Sequence, residues 1–168
     1  MAIQTCRECG HQVSTKAITC PHCGAPGPAS PKRGFEWKSR AHILGIPLIH
    51  VAFGRDRRRR LRVAKGFIAI GQFAIGVITI AQFGVGILFG FGQFMLGLTA
   101  VGQVAVAIIF GAGQVATGLV AIGQIVLAVY GLAQFGWAVY LWSPQRVDME
   151  AVALFHTLLL RIRQFLGV

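Results

Sequence analysis

The sequence predicts a mainly β protein in three parts: a small cysteine-rich module, a long apolar repeat wound from short strands, and a carboxyl-terminal amphipathic helix. Three observations predict it. Two Cys-x-x-Cys pairs lie near the amino terminus. The stretch from Gly66 to Gln145 contains no Asp, Glu, Lys, Arg or His, yet it is far too long for one spanning helix. That stretch also repeats every 21 residues: IAIGQFAIGVITIAQFGVGIL from Ile68, FGFGQFMLGLTAVGQVAVAII from Phe89 and FGAGQVATGLVAIGQIVLAVY from Phe110. A partial fourth copy, GLAQFGWAVYLW from Gly131, has slipped by one.

Composition sets the class. Of 168 residues, 55% are hydrophobic and 12% charged, the profile of a membrane protein rather than a soluble core. The net charge of +11 is clustered, with eleven of the sixteen Lys and Arg between Lys32 and Lys65. A basic block beside an apolar one belongs on the cytoplasmic side, against anionic lipid. A nucleic-acid patch is the competing reading. The start, MAIQTCRECG, has no apolar leader core, so no cleaved signal peptide is expected. The expected location is the inner (cytoplasmic) membrane of the cell, with the cysteine module and the Arg run facing the cytosol.

Residues 1–24 hold Cys6-Arg-Glu-Cys9-Gly and Cys20-Pro-His-Cys23-Gly. Two thiolates two residues apart, followed by Gly, form a tight turn that aims both sulfurs at one metal. A second such turn completes the tetrahedron that Zn²⁺ accepts. Disulfides or free thiols are the other reading, disfavoured in a reducing cytosol. The segment resembles the zinc-ribbon family, and the resemblance carries over Cys6, Cys9, Cys20 and Cys23 as structural ligands. His11 and His22 are then spare and solvent-facing. Four thiolates close the site, leaving no position for a substrate water. So small a segment has little core, and the metal supplies much of its folding energy.

Residues 25–34, from GAPGPASPKRG, read as a flexible linker. Residues 35–66 read as a basic β-hairpin or cap. Leu48, His50 and Ala52 alternate with Ile49, Val51 and Phe53, the pattern of a strand. The run from Gly54 to Arg60 is the turn, and Leu61 to Lys65 begin the returning strand. Arg55, Arg57, Arg58, Arg59, Arg60, Arg62 and Lys65 are candidates for lipid headgroup contact, the alternative being a solvated loop. His42 and His50 have no metal-partner spacing and read as structural.

Residues 67–142 form the apolar repeat. Three or four transmembrane helices are one reading, but no polar loops separate them. The small residues Ala69, Gly71, Ala74, Gly76, Thr79, Ala81, Gly84 and Gly86 instead follow a five-residue unit, small-x-small-x-x. Steps of five drift around a helix and define no face. Alternation interrupted every fifth residue is what short strands joined by corners produce. Four pentads plus one residue make 21. Here the chain resembles the pentapeptide-repeat family, whose quadrilateral β-helix has four five-residue sides per coil. It departs from that family in lacking the usual Asp or Asn and in having apolar residues on both faces, which points to lipid. It is also similar to bacterial membrane proteins of unassigned function that join zinc-ribbon heads to Ala/Gly pentads.

A coil of about 21 residues would stack equivalent positions about 4.8 Å apart. Gln72, Gln93 and Gln114 would then form one structural amide ladder, and Gln82, Gln103 and Gln124 another. About three and a half such coils reach only roughly 17 Å, short of a hydrocarbon core of roughly 30 Å. Extra coils, membrane thinning or self-association must make up the difference. Whether the small residues or the large ones point inward stays open.

Trp137, Tyr140 and Trp142 end the block as an interfacial aromatic belt would. Residues 143–168 read as an amphipathic helix starting at Ser143-Pro144, with Asp148 and Glu150 in its early turns. Val147, Ala151, Leu154, Phe155, Leu158, Ile162 and Phe165 share helical spacing. Arg161 and Arg163 would lie at headgroups. Packing on the repeat or on a second subunit is the alternative.

No nucleophile with a base, no paired carboxylates and no phosphate loop are present, so an enzyme is not expected. The expected function is a non-enzymatic, lipid-embedded repeat scaffold displaying a cytosolic zinc ribbon to a protein partner, with homo-oligomers an open option. The alternatives are a pore or transporter lined by Gln, although spans that transport normally carry ionisable groups, and a membrane-tethered nucleic-acid binder.

Overall fold

The computed structural model describes residues 3–29, 34–55 and 60–167. They belong to two compact units, Met1–Gly34 with Gly54–Leu61, and Phe35–Phe53 with Arg62–Val168.

The first unit is built on an antiparallel hairpin of β1 (Ile3–Thr5) and β2 (Gln12–Ser14), with Gln4 opposite Val13. Its small core joins Val13 and Ala29 to Cys6 and Cys20. The fold runs past residue 24, into the expected linker. The Arg7 N–H donates to Pro28 O at 3.1 Å and the Gly27 N–H to Ile18 O at 2.6 Å. Pro28 is fully buried. The rest of that linker, residues 30–33, and Arg57, Arg58 and Arg59 of the Arg run lie outside the described residues. Arg55 and Leu61 pair as an isolated antiparallel bridge.

In the second unit β3 (Phe35–Lys38) is followed by a tight hairpin of β4 (His42–Ile43) and β5 (Ile46–Pro47). Its turn puts Leu44 at φ 51° and Gly45 at φ 77°, positive at both central positions as a type I′ turn requires. Then comes β6 (Ile49–Phe53), antiparallel to β3 on one side. On its other side lies β7 (Val63–Trp142), parallel, with Ile49 opposite Ile68 and Ala52 opposite Gly71. The expected hairpin across the Arg run is therefore not how the strands pair. The chain travels far enough after β6 to return beside it in the same direction, as a parallel crossover demands.

Residues of β7 contact residues 10 or 11 positions away. Phe73 stacks on Phe83 and Phe83 on Phe94, with ring centroids 5.6 and 6.3 Å apart, and Tyr130 on Tyr140 at 5.0 Å. Thr117 Oγ1 donates to Ala107 O and accepts the Ala107 N–H, both at 3.1 Å. A methyl group on Gly92, Gly102, Gly113 or Gly123 would overlap the carbonyl of Ala81, Gly92, Gly102 or Gly113 respectively. Antiparallel contacts would keep a constant sum of residue numbers. These keep a constant difference, so the chain winds on itself in parallel coils of 10 or 11 residues. The 21-residue period is thus two coils, and the four-sided coil expected from the pentads is replaced by a two-sided one.

Its interior follows directly. Buried side chains recur every five residues along Ala64, Ala69, Ala74 and Thr79, and again along Ala116, Ala121 and Val126. The stretched intervals run from Gly84 to Gly90 and from Ala105 to Gly111, and all four of these residues are buried. A Cβ on Gly84 would meet Thr79 across the coil, Ala74 O one coil before and Met95 one coil after. Two five-residue sides lie too close for anything larger than Ala at most inward positions. All eight small residues from Ala69 to Gly86 in the pentad series are buried. The large series alternating with them lies outward: Ile75 is 48% exposed, Phe83 47% and Ile108, farther along, 66%.

Helices do not cross the apolar block: no described helix is long and apolar enough to span a membrane. The helix that does form, α1 (Met149–Leu166), begins later than Ser143 and buries Ala151 and Phe155, one turn apart. Gly167 ends it in the left-handed conformation at φ 73°. Residues 143–148 finish the coil instead of starting the helix. Asp148 Oδ2 accepts the Leu141 N–H at 2.8 Å, and Arg146 donates to Val139 O at 3.0 Å.

Candidate metal centre

Two turns of the same form build the site. The Cys6 N–H donates to His11 O at 2.7 Å and the Gly10 N–H to Cys6 O at 3.0 Å. The Cys20 N–H donates to Ala25 O at 2.8 Å and the Gly24 N–H to Cys20 O at 2.9 Å. Gly10 and Gly24 hold φ near 75° and 72°, where a side chain would be strained. Each Cys-x-x-Cys-Gly run thus folds into a knuckle.

The four sulfurs lie within 4.8 Å of one another. Cys6 and Cys23 Sγ are 3.8 Å apart, Cys9 and Cys20 Sγ 3.7 Å. Those separations are too long for a disulfide, whose sulfurs sit about 2.05 Å apart. They match the edge of a tetrahedron, about 3.8 Å when each sulfur is about 2.3 Å from zinc. The residues therefore fit the ion. Bound zinc would supply a cross-link between the knuckles, and four protein thiolates leave no coordination position for chemistry on a substrate.

Protonation is uneven. N–H groups of Cys9 and Glu8 aimed at its sulfur draw Cys6 down to about 6. The Ala25 N–H favours the Cys23 thiolate, but the neighbouring Cys9 sulfur, burial and the other sulfurs push Cys23 up to about 12. Metal binding must displace such protons.

His11 and His22 are exposed, as expected of spare residues, but they are not independent. Their rings stack with centroids 3.5 Å apart, and a ring nitrogen of each lies within 4.8 Å of Cys9 Sγ.

Four thiolates on paired knuckles define a structural metal module. The zinc-ribbon domain family matches residues 5–27. No curated protein and no solved structure matches the chain.

The other candidates are dispersed. Arg55, Arg60 and Lys65 are exposed, as are Arg161 and Arg163 on α1. Arg62 is half-buried and pairs with Glu36, which also takes Lys38 Nζ at 3.2 Å and lies 3.4 Å from His50 Nε2. Sequence does not single out Glu36, because a lone acid among bases carries no spacing signal. The two expected Gln ladders fall at steps of 10 and 11, and Gln114 and Gln124 line one groove together with Gln134. Among the described residues, no hydrogen bond joins those three amides. Gln134 escapes a reading by columns because it sits one place off the 21-residue grid.

Proposed function

We propose that this is a non-enzymatic membrane protein whose coil is embedded in lipid and whose zinc ribbon serves as a docking head for a protein partner. The carrying observation is the inverted packing of β7, with Ala and Gly inside and Ile, Phe, Leu and Val outside. Such an exterior is far more apolar than water tolerates. Height supports the reading. The 80 residues of β7 at 10 or 11 per coil make between seven and eight coils, about 36 Å at about 4.8 Å each, against a hydrocarbon core of about 30 Å.

Lipid also demands paired backbone groups. Coil-to-coil bonding serves the wall, β3 and β6 cover the amino end, and Asp148 and Arg146 serve the carboxyl end. Aromatic residues flank both ends, Trp37 at 49% exposure and Trp137 at 66%, as interfacial anchors do. The closed thiolate site supports a binding role for the head rather than catalysis. A pore through one copy is disfavoured, since the interior is filled by its own small side chains.

The test is reconstitution into vesicles whose lipids carry bromine at known depths. Quenching of Trp137 and Trp142 near the interface, with flotation that survives high salt, is the expected result. Protein that stays in the aqueous fraction would overturn the lipid reading.

A further inference from the structure

Seven glutamines, Gln72, Gln82, Gln93, Gln103, Gln114, Gln124 and Gln134, follow one another at 10 or 11 residues, the separation at which coils stack. The two columns are therefore one. Phe73, Phe83 and Phe94, each following a glutamine, stack in line, and Gln114, Gln124 and Gln134 share a groove of about 460 Å³. From Gln82 onward all are exposed. The opposite corner of the coil carries Val77, Leu88, Leu98, Ile109, Leu119, Val129 and Val139. One edge of an apolar coil is thus a continuous stripe of amides.

We propose that this stripe is where two copies of the chain associate, edge to edge, an inference that rests on the coil being in lipid. An amide left in hydrocarbon without a partner is costly. A Gln side chain both donates and accepts, so a stripe of Gln complements itself across a two-fold axis. Pitch identifies the partner. The amides recur about every 4.8 Å along the coil. A helix offers equivalent positions about every 5.4 Å and falls out of step along the edge. A second coil keeps step over the six exposed amides from Gln82 to Gln134.

The experiment uses full-length, zinc-loaded protein in vesicles, with Gln103→Cys on the stripe and Leu119→Cys on the opposite corner. A short bismaleimide cross-links the thiols, and unsubstituted protein serves as the blank for the metal-bound cysteines. The expected result is a covalent dimer at least tenfold more abundant from Gln103→Cys than from Leu119→Cys. A second variant, Gln93→Leu with Gln114→Leu in the Gln103→Cys background, should lower the dimer severalfold without lowering the β signal. Equal cross-linking at both positions, none at Gln103→Cys, or indifference to the leucines would overturn the proposal. Flotation of the same samples reads the lipid reading separately. Protein that floats without stripe cross-linking refutes the stripe alone, and protein that cross-links without floating refutes lipid embedding while supporting the paired edge.

Discussion

Asp148 accepts the backbone N–H of Leu141 at 2.8 Å and thereby ends the coil. Without that carboxylate the last turn of the stack would expose an unpaired donor, and the Arg146 guanidinium, 2.9 Å from the same oxygen, would lose its counter-charge. The order of thermal stability in vesicles should be wild type, then Asp148→Asn, then Asp148→Ala. Asn still accepts the Leu141 bond and lacks only the charge. Hydrogen exchange at the Leu141 amide should accelerate in the same order.

The Leu141 N–H and then Arg146 hold the Asp148 carboxyl below the usual carboxylate range. A depressed folded pKa means the unfolded chain takes up the proton first. The contribution is present above the ordinary value of about 3.9 and is lost as pH falls through the lower, folded value. Titrating Leu141 amide protection from pH 6 to 2 should reveal that loss in wild type and not in Asp148→Asn.

His50 gives a second acid-sensitive contact at the other end of the stack. It is 3% exposed, and its Nδ1 accepts the Lys65 N–H at 2.7 Å. Burial, with Lys38 adding to it, holds its pKa below the ordinary His value. The neutral ring is the stabilising form, so stability is present above about pH 6.5 and declines as pH falls through the folded value. His50→Ala, which orphans the Lys65 donor, should cost about 1–3 kcal/mol and remove that pH dependence from denaturant unfolding curves.

The metal prediction is one zinc per chain, read by mass spectrometry under native conditions. Cys20→Ser should lose it and unfold residues 3–29 while the β signal of the coil persists. Zinc affinity should fall steeply with acid, because thiol protons must be displaced when the metal binds.

Interior substitutions should separate sharply from exterior ones. Gly92→Ala forces a methyl against the Ala81 carbonyl and should cost about 1–3 kcal/mol or more. Ile108→Ala, at a position 66% exposed, should stay within about 0.5 kcal/mol. Similar losses at both sites would contradict the inverted packing.

The five-residue rhythm of Ala69 to Gly86 is legible in the sequence as strands and corners, and so are the four thiolates. The coil size is not. Its six-residue intervals end at Gly90 and Gly111, in every second coil, so strict alignment returns two coils as one repeat. After Gln124 the next interval is 10 rather than 11, which is why the last copy looks slipped. Direction of the side chains is equally hidden, because Ile and Ala are both apolar. Only the thinness of a two-sided coil decides that Ala goes inside. The Leu44-Gly45 turn escapes for a plain reason: a branched residue at positive φ carries no turn signal.

Because every coil bonds only to its neighbours, thickness in this architecture comes in whole rungs. Removing residues 90–110 would excise two complete coils and bring Phe89 directly to Gly111, a join the repeat already contains in kind. The shortened stack would lose about 9.6 Å at about 4.8 Å per rung. The chain is in that sense a ruler, and on the lipid reading proposed above, duplication or loss of a 21-residue segment would fit the same protein to a thicker or thinner bilayer.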